Sequence, residues 1–224
     1  MNLRMVGRLI LKDWYLERWV ILGSLVAGAA TLAWITLGGK LAWLMGIIVM
    51  VTILIAIGAQ LAMASLVSER KDHTLAFVMS LPISYREYTA SKILGNLLIF
   101  LVPWLLLVVG SFAVVLSSRT QPHGLLPYVA IMAVEILVST CFVAATALVT
   151  ESQALTIAAI LLGNLALNGV GYWVAHLPAI ATGMDGALVA WTPTAYGLLL
   201  GEFGLIVLML GTTFFLQSRK RDFL

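Results

Sequence analysis

Apolar and polar positions follow one another in long blocks along this chain rather than alternating residue by residue. Nearly uninterrupted apolar runs occupy residues 19–37, 41–67, 93–116, 125–150, 154–175 and 196–217. A helix rises about 1.5 Å per residue, so about 20 apolar residues cross a hydrocarbon core about 30 Å thick. Each run reads as a spanning helix. The expected fold class is all-α, a polytopic membrane protein with six transmembrane helices. Only Gly38, Gly39 and Lys40 separate the first two runs, and only Glu151, Ser152 and Gln153 the fourth and fifth. Both breaks read as tight turns at a surface. Residues 176–194 are semi-apolar but broken by Pro178, Gly183, Gly186 and Pro193. They are too short to span, and either lie in the interface or dip partway in.

Two segments carry a finer pattern. In residues 1–18, Arg4, Arg8 and Lys12 recur every four positions, while Leu3, Val6, Leu9, Ile10 and Trp14 cover the opposite face. This predicts an amphipathic helix in the membrane interface, acting either as an anchor or as an elbow that also touches a partner. Ala27-Gly28-Ala29 has the look of a cleavage box, but Asp13 and Glu17 are wrong for the n-region of a signal peptide. The second segment is residues 68–92, SERKDHTLAFVMSLPISYREYTASK. Leu75, Val78 and Met79 lie at helical spacing after Glu69, Asp72 and His73, and Pro82 cannot continue that helix. Ser84 and Glu87 have the spacing of a capping box, so a second helix should begin at Tyr85 and enter the third span. Lys92, about two turns in, would snorkel to the membrane surface. The apolar stripe wants either a groove in a partner or the lipid surface.

Composition agrees with the block pattern. The 224 residues are 62% apolar and 10% charged, where a soluble domain carries about 25% charged residues. The formal net charge is +3. Its placement points to positive-inside loops rather than to nucleic acid. With six spans, Arg4, Arg8, Lys12, Arg18, Arg70, Lys71, Arg86, Lys92, Arg219, Lys220 and Arg221 share one side, and only Lys40 and Arg119 the other. Both termini and residues 68–92 are therefore expected in the cytoplasm. The lone Cys141 sits in an apolar run as a packing residue. His73, His123 and His176 are too dispersed for a metal site, and no catalytic residue is expected.

Within the spans, charged groups are costly and usually functional. Glu135 falls near the middle of the fourth run and Glu202 about six residues into the sixth. Asn164 and Asn168 share a face of the fifth, and Gln60 lies in the second. These groups either line a translocation path or gate, or simply bond helix to helix. Pro103 is placed to kink the third span. The small-residue pairs Gly23/Ala27, Ser24/Gly28 and Ala159/Gly163 allow close helix contact but do not say which face meets which.

The order Glu69-Arg70-Lys71, Thr74-Leu75, Ser80-Leu81-Pro82-Ile83-Ser84, Glu87-Tyr88 and Ser91-Lys92 resembles the loop between spans two and three of ABC-2 type transporter permeases. The amphipathic lead-in, the six spans, the semi-apolar segment before the last span and the basic ending SRKRDFL extend the resemblance over the whole chain. The resemblance implies the membrane subunit of a type V ABC exporter in the inner membrane. In that family the loop carries a coupling helix that docks on a separate ATP-binding subunit. It would assign Glu69, Thr74, Pro82, Glu87 and Lys92 to that coupling region, with Leu75, Val78 and Met79 as its stripe. Residues 1–18 would be the connecting helix and residues 176–194 a re-entrant extracellular gate. Two ATPase copies, binding the ATP and magnesium, and a second permease copy as a homodimer are implied. The chain has no ATP site of its own: Gly39-Lys40 lacks the P-loop glycine spacing and is followed by Leu41. The alternative reading is a secondary transporter or channel with no ATPase. The structured loop and the lack of an inverted repeat speak against it.

Overall fold

The computed structural model describes residues 3–64, 85–118 and 121–219. Seven α-helices are described: α1 (Leu3–Leu37), α2 (Lys40–Ala62), α3 (Tyr85–Ser117), α4 (Leu126–Thr150), α5 (Gln153–Ala175), α6 (Pro178–Met184) and α7 (Pro193–Arg219). A 3-10 turn at His123–Leu125 precedes α4, and no strand occurs among the described residues. Six of the helices are long and apolar enough to cross a membrane, and only α6 is too short. The all-α, six-span expectation is met.

The predicted boundary between lead-in and first span is absent. Residues 3–37 form one helix without a break. Its buried face is read by Val6, Asp13, Ile21, Gly28 and Ile35, positions about two turns apart, so one stripe continues through both parts. At 35 residues the helix is about 52 Å long, well beyond the thickness of a hydrocarbon core. Its first turns pack on α3. Trp14, Tyr15 and Trp19 lie along this part, with the Arg18 guanidinium 3.9 Å from the Tyr15 ring centroid, as an interfacial belt would have it.

Helix α4 is the hub. Two thirds of its apolar window is buried, against a third or less for every other span. It packs on α2, α3, α5 and α7, while α1 packs on α2 and α3. The main core joins Ile21, Leu54, Phe100, Leu107, Val138 and Ile206 from five helices. Two glycines permit close approach between neighbouring spans. A Cβ at Gly28 would collide with Leu107 of α3, and one at Gly163 with the Ser139 hydroxyl of α4. The small-residue pairs Ser24/Gly28 and Ala159/Gly163 thus serve packing inside the chain. Glu151 ends α4 in the left-handed conformation (φ 57°), and the Ser152 hydroxyl caps α5 by accepting from the Leu155 amide. Pro103 is fully buried within α3, which runs on through it. Next to it, the Trp104 indole N–H donates to the Ala133 carbonyl of α4 at 2.8 Å.

At the end of the bundle away from the chain termini, residues 176–194 form α6 and an extended return. Ile180 is buried with Ile131, Val174 and Ala195. The Gly124 amide donates to the Gly186 carbonyl at 2.9 Å, tying this segment to the turn before α4. The segment covers the ends of α4, α5 and α7.

Candidate functional site

Of the coupling positions, Glu69, Thr74, Leu75, Val78, Met79 and Pro82 lie outside the described residues. Glu87 and Lys92 lie within them, in the first turns of α3, and both are buried. The Lys92 ammonium does not snorkel to a surface. Its side chain is 2% exposed, and it donates to Asp13 Oδ2 of α1 at 2.9 Å. Asp13 is equally enclosed, and its other oxygen lies 3.2 Å from the half-exposed Lys12 ammonium. The physical reason is the parallel packing of α1 on α3. Asp13 meets Lys92 and, four turns on, Gly28 meets Leu107 at the same sequence offset. The lysine therefore points into a helix contact that holds a carboxylate, and an ion pair replaces hydration. Asp13 was missed as a site residue from the sequence. The signal was a carboxylate in the Val6–Ile35 buried stripe.

Glu135 and Glu202 come together. Helices α4 and α7 start at the same end of the bundle, at Leu126 and Pro193. Each glutamate is the tenth residue of its helix, about 13 Å along the axis. Glu202 lies about six residues into the apolar run that starts at 196, but α7 begins at Pro193, which carries it to the depth of Glu135. The two carboxylates interact electrostatically across the α4–α7 contact. Glu135 is buried. Glu202 Oε2 is shielded from solvent and finds no hydrogen-bond partner among the described residues. Two carboxyl groups at this depth, one with an oxygen unpartnered among the described residues, are a costly arrangement.

The asparagines do not join them. The Asn164 amide donates to the Ile160 carbonyl and the Asn168 amide to the Asn164 carbonyl, both on their own helix. Asn168 and Gln60 are exposed on outward faces.

Residues 20–181 match the family described as ABC-2 family transporter protein, from the start of the first span through the fifth and into α6. The chain belongs to the ABC-2 transporter family. No curated protein and no solved structure matches it. As an ABC-2 family protein it is a membrane component of an ABC transporter. That family association implies an ABC ATPase partner.

Proposed function

We propose that this ABC-2 protein is the permease subunit of an ATP-driven exporter of the inner membrane. It works as a homodimer with two separate ATPase subunits that bind ATP and magnesium. Both termini and residues 68–92 face the cytoplasm, as the distribution of lysine and arginine favours. The stripe Leu75, Val78 and Met79, framed by Glu69, Thr74 and Pro82, docks on the ATPase. The observation that carries this reading is the buried Asp13–Lys92 pair. It joins the helix leaving residues 68–92 to the helix that begins the chain. A movement of the loop is then delivered to α1 and α3 together, as one body, and not lost in a flexible joint. The cargo path runs past Glu135 and Glu202, with residues 176–194 as the gate at its far end. ATP binding shifts the population between the two orientations of the path.

The test is a mild-detergent pull-down of tagged protein with mass spectrometry and an ATPase assay. A stoichiometric ATPase should copurify from the native protein. Met79→Asp should lower its recovery at least tenfold while gel filtration of the permease is unchanged. A clean oligomer with no ATPase would return the protein to the secondary-transporter reading.

A further inference from the structure

We propose that the outward face of α1 holds one anionic phospholipid, in the leaflet on the side of the chain termini. Its phosphate sits on Arg18 and an acyl chain lies on the aliphatic turns that follow. The face is defined by packing. Val6, Asp13, Ile21, Gly28 and Ile35 are buried where α1 meets α2 and α3. Round the other side, Arg8, Leu11, Tyr15, Trp19, Leu22 and Val26 are all exposed. Their spacing of three and four residues makes them one stripe. Along it the chemistry changes in the order a phospholipid presents: arginine, then aromatic rings, then aliphatic side chains. The level is set by α3. Asp13 beside Lys92 puts Trp14 opposite residue 93, where the apolar run of α3 begins. Tyr15, Arg18 and Trp19 therefore stand at the first turns of the hydrocarbon, where the phosphates and the chains of the lipid meet.

The Arg18 guanidinium is held in place before any ligand arrives. It lies 3.9 Å from the Tyr15 ring centroid and 5.2 Å from that of Trp19. Tyr15 is one turn toward the N-terminus, so the side chain reaches back toward the headgroups, the direction helical side chains favour. Cation–π contacts occupy the faces of the guanidinium and leave its N–H edge for a bidentate oxyanion. Among the described residues no carboxylate pairs with it. The acids of α1 are Asp13 and Glu17. Asp13 is held by Lys92 and Lys12, and Glu17, one turn on, is part-buried on the same inward side. The outward face thus carries arginines and no acid. A headgroup extends from its phosphate toward Arg8, about 15 Å further out on the same stripe. A zwitterionic lipid would bring an ammonium toward that like charge, and its phosphate already has a cation of its own. An anionic lipid has neither defect. A free phosphate would leave Trp19, Leu22 and Val26 unused, so the lipid is the occupant.

The probe is a phosphatidylglycerol with a diazirine in one acyl chain, photolysed with the full-length protein in phosphatidylcholine nanodiscs. A phosphatidylcholine carrying the same diazirine is the reference, and label is mapped by mass spectrometry. On Leu22 and Val26 the phosphatidylglycerol reagent should give about tenfold more label than the reference. On Leu161 and Leu165, exposed on the outward face of α5, the two reagents should label alike. Arg18→Gln should bring the α1 label down to the reference level and leave the α5 label unchanged. Tyr15→Leu removes the ring that steers the guanidinium and should lower the α1 label partway. It also covers the case in which the first variant does not fold. Equal label from the two reagents on α1 of the native protein overturns the site, as does undiminished label in well-folded Arg18→Gln. Absence of lipid label from a face that a copurifying protein protects assigns that face to the protein, and the lipid site falls with it.

Discussion

Asp13 with Lys92 and Glu135 with Glu202 are both pairs of ionisable groups at a contact between two spans, yet they are opposite in kind. The first brings unlike charges to 2.9 Å, with Lys12 as a further partner. The second brings two carboxyl groups to one helix contact and leaves Glu202 Oε2 without a hydrogen bond among the described residues. A complementary pair has one good arrangement and resists being pulled apart. Two carboxyl groups in one contact can ionise together only when a positive charge arrives, so their surroundings respond to what passes. The first suits a mechanical joint and the second a site on a path. Each assignment can be broken separately.

The largest effect is expected at the joint. Lys92→Met leaves Asp13 buried with only the half-exposed Lys12. Removing one partner of a buried pair costs about 3–5 kcal/mol, and Lys12 should hold the loss near the lower end. Thermal unfolding in detergent, followed by tryptophan emission, measures it. Replacing both members, Asp13→Leu with Lys92→Met, removes the uncompensated charge and should restore most of that stability. A joint that matters for coupling predicts one more result. The double variant should fold and bind its ATPase, yet transport less per ATP hydrolysed. Wild-type transport in the double variant would reduce the pair to packing.

The second effect separates stability from transport. Glu202→Gln keeps the shape, removes one of two ionisable carboxyl groups, and gives the unpartnered position a group that can donate. Stability should stay within about 1 kcal/mol of the native protein or rise, because the pair contributes repulsion and an unmet hydrogen bond. Transport by the reconstituted complex should fall at least tenfold, and Glu135→Gln should act in the same direction. A large loss of stability with normal transport would make the carboxylates structural.

The sequence already contained the spans, because runs of about 20 apolar residues have few other uses. It also contained the tight turns at Gly38-Gly39 and at Glu151-Ser152. The unity of α1 was hidden because the basic face of Arg4, Arg8 and Lys12 is the louder pattern. The quieter one is the stripe from Val6 through Asp13 to Ile35, which needs α3 as a neighbour before it has a meaning. Lys92 was read as solvated for the same reason: one helix alone does not say what stands beside it. Glu135 and Glu202 were each visible as misplaced charges. Their pairing depends on α4 packing against α7 with matching starts, and no local pattern encodes a contact between residues so far apart in the chain.

The smallest effect tests whether polarity at depth is by itself a sign of function. Asn164 and Asn168 are as improbable within a span as the glutamates, but each amide already donates to a carbonyl one turn back. Such bonds compete with nothing in the lipid and hold no second helix in place. Asn168→Ala should therefore change stability by no more than about 0.6 kcal/mol and leave transport at the native rate. Asn164→Ala should do the same. A transport defect in either variant, with stability unchanged, would extend the path from the α4–α7 contact onto the outward face of α5. That face would then be the surface a second copy covers, and the distinction would shift from charge to position.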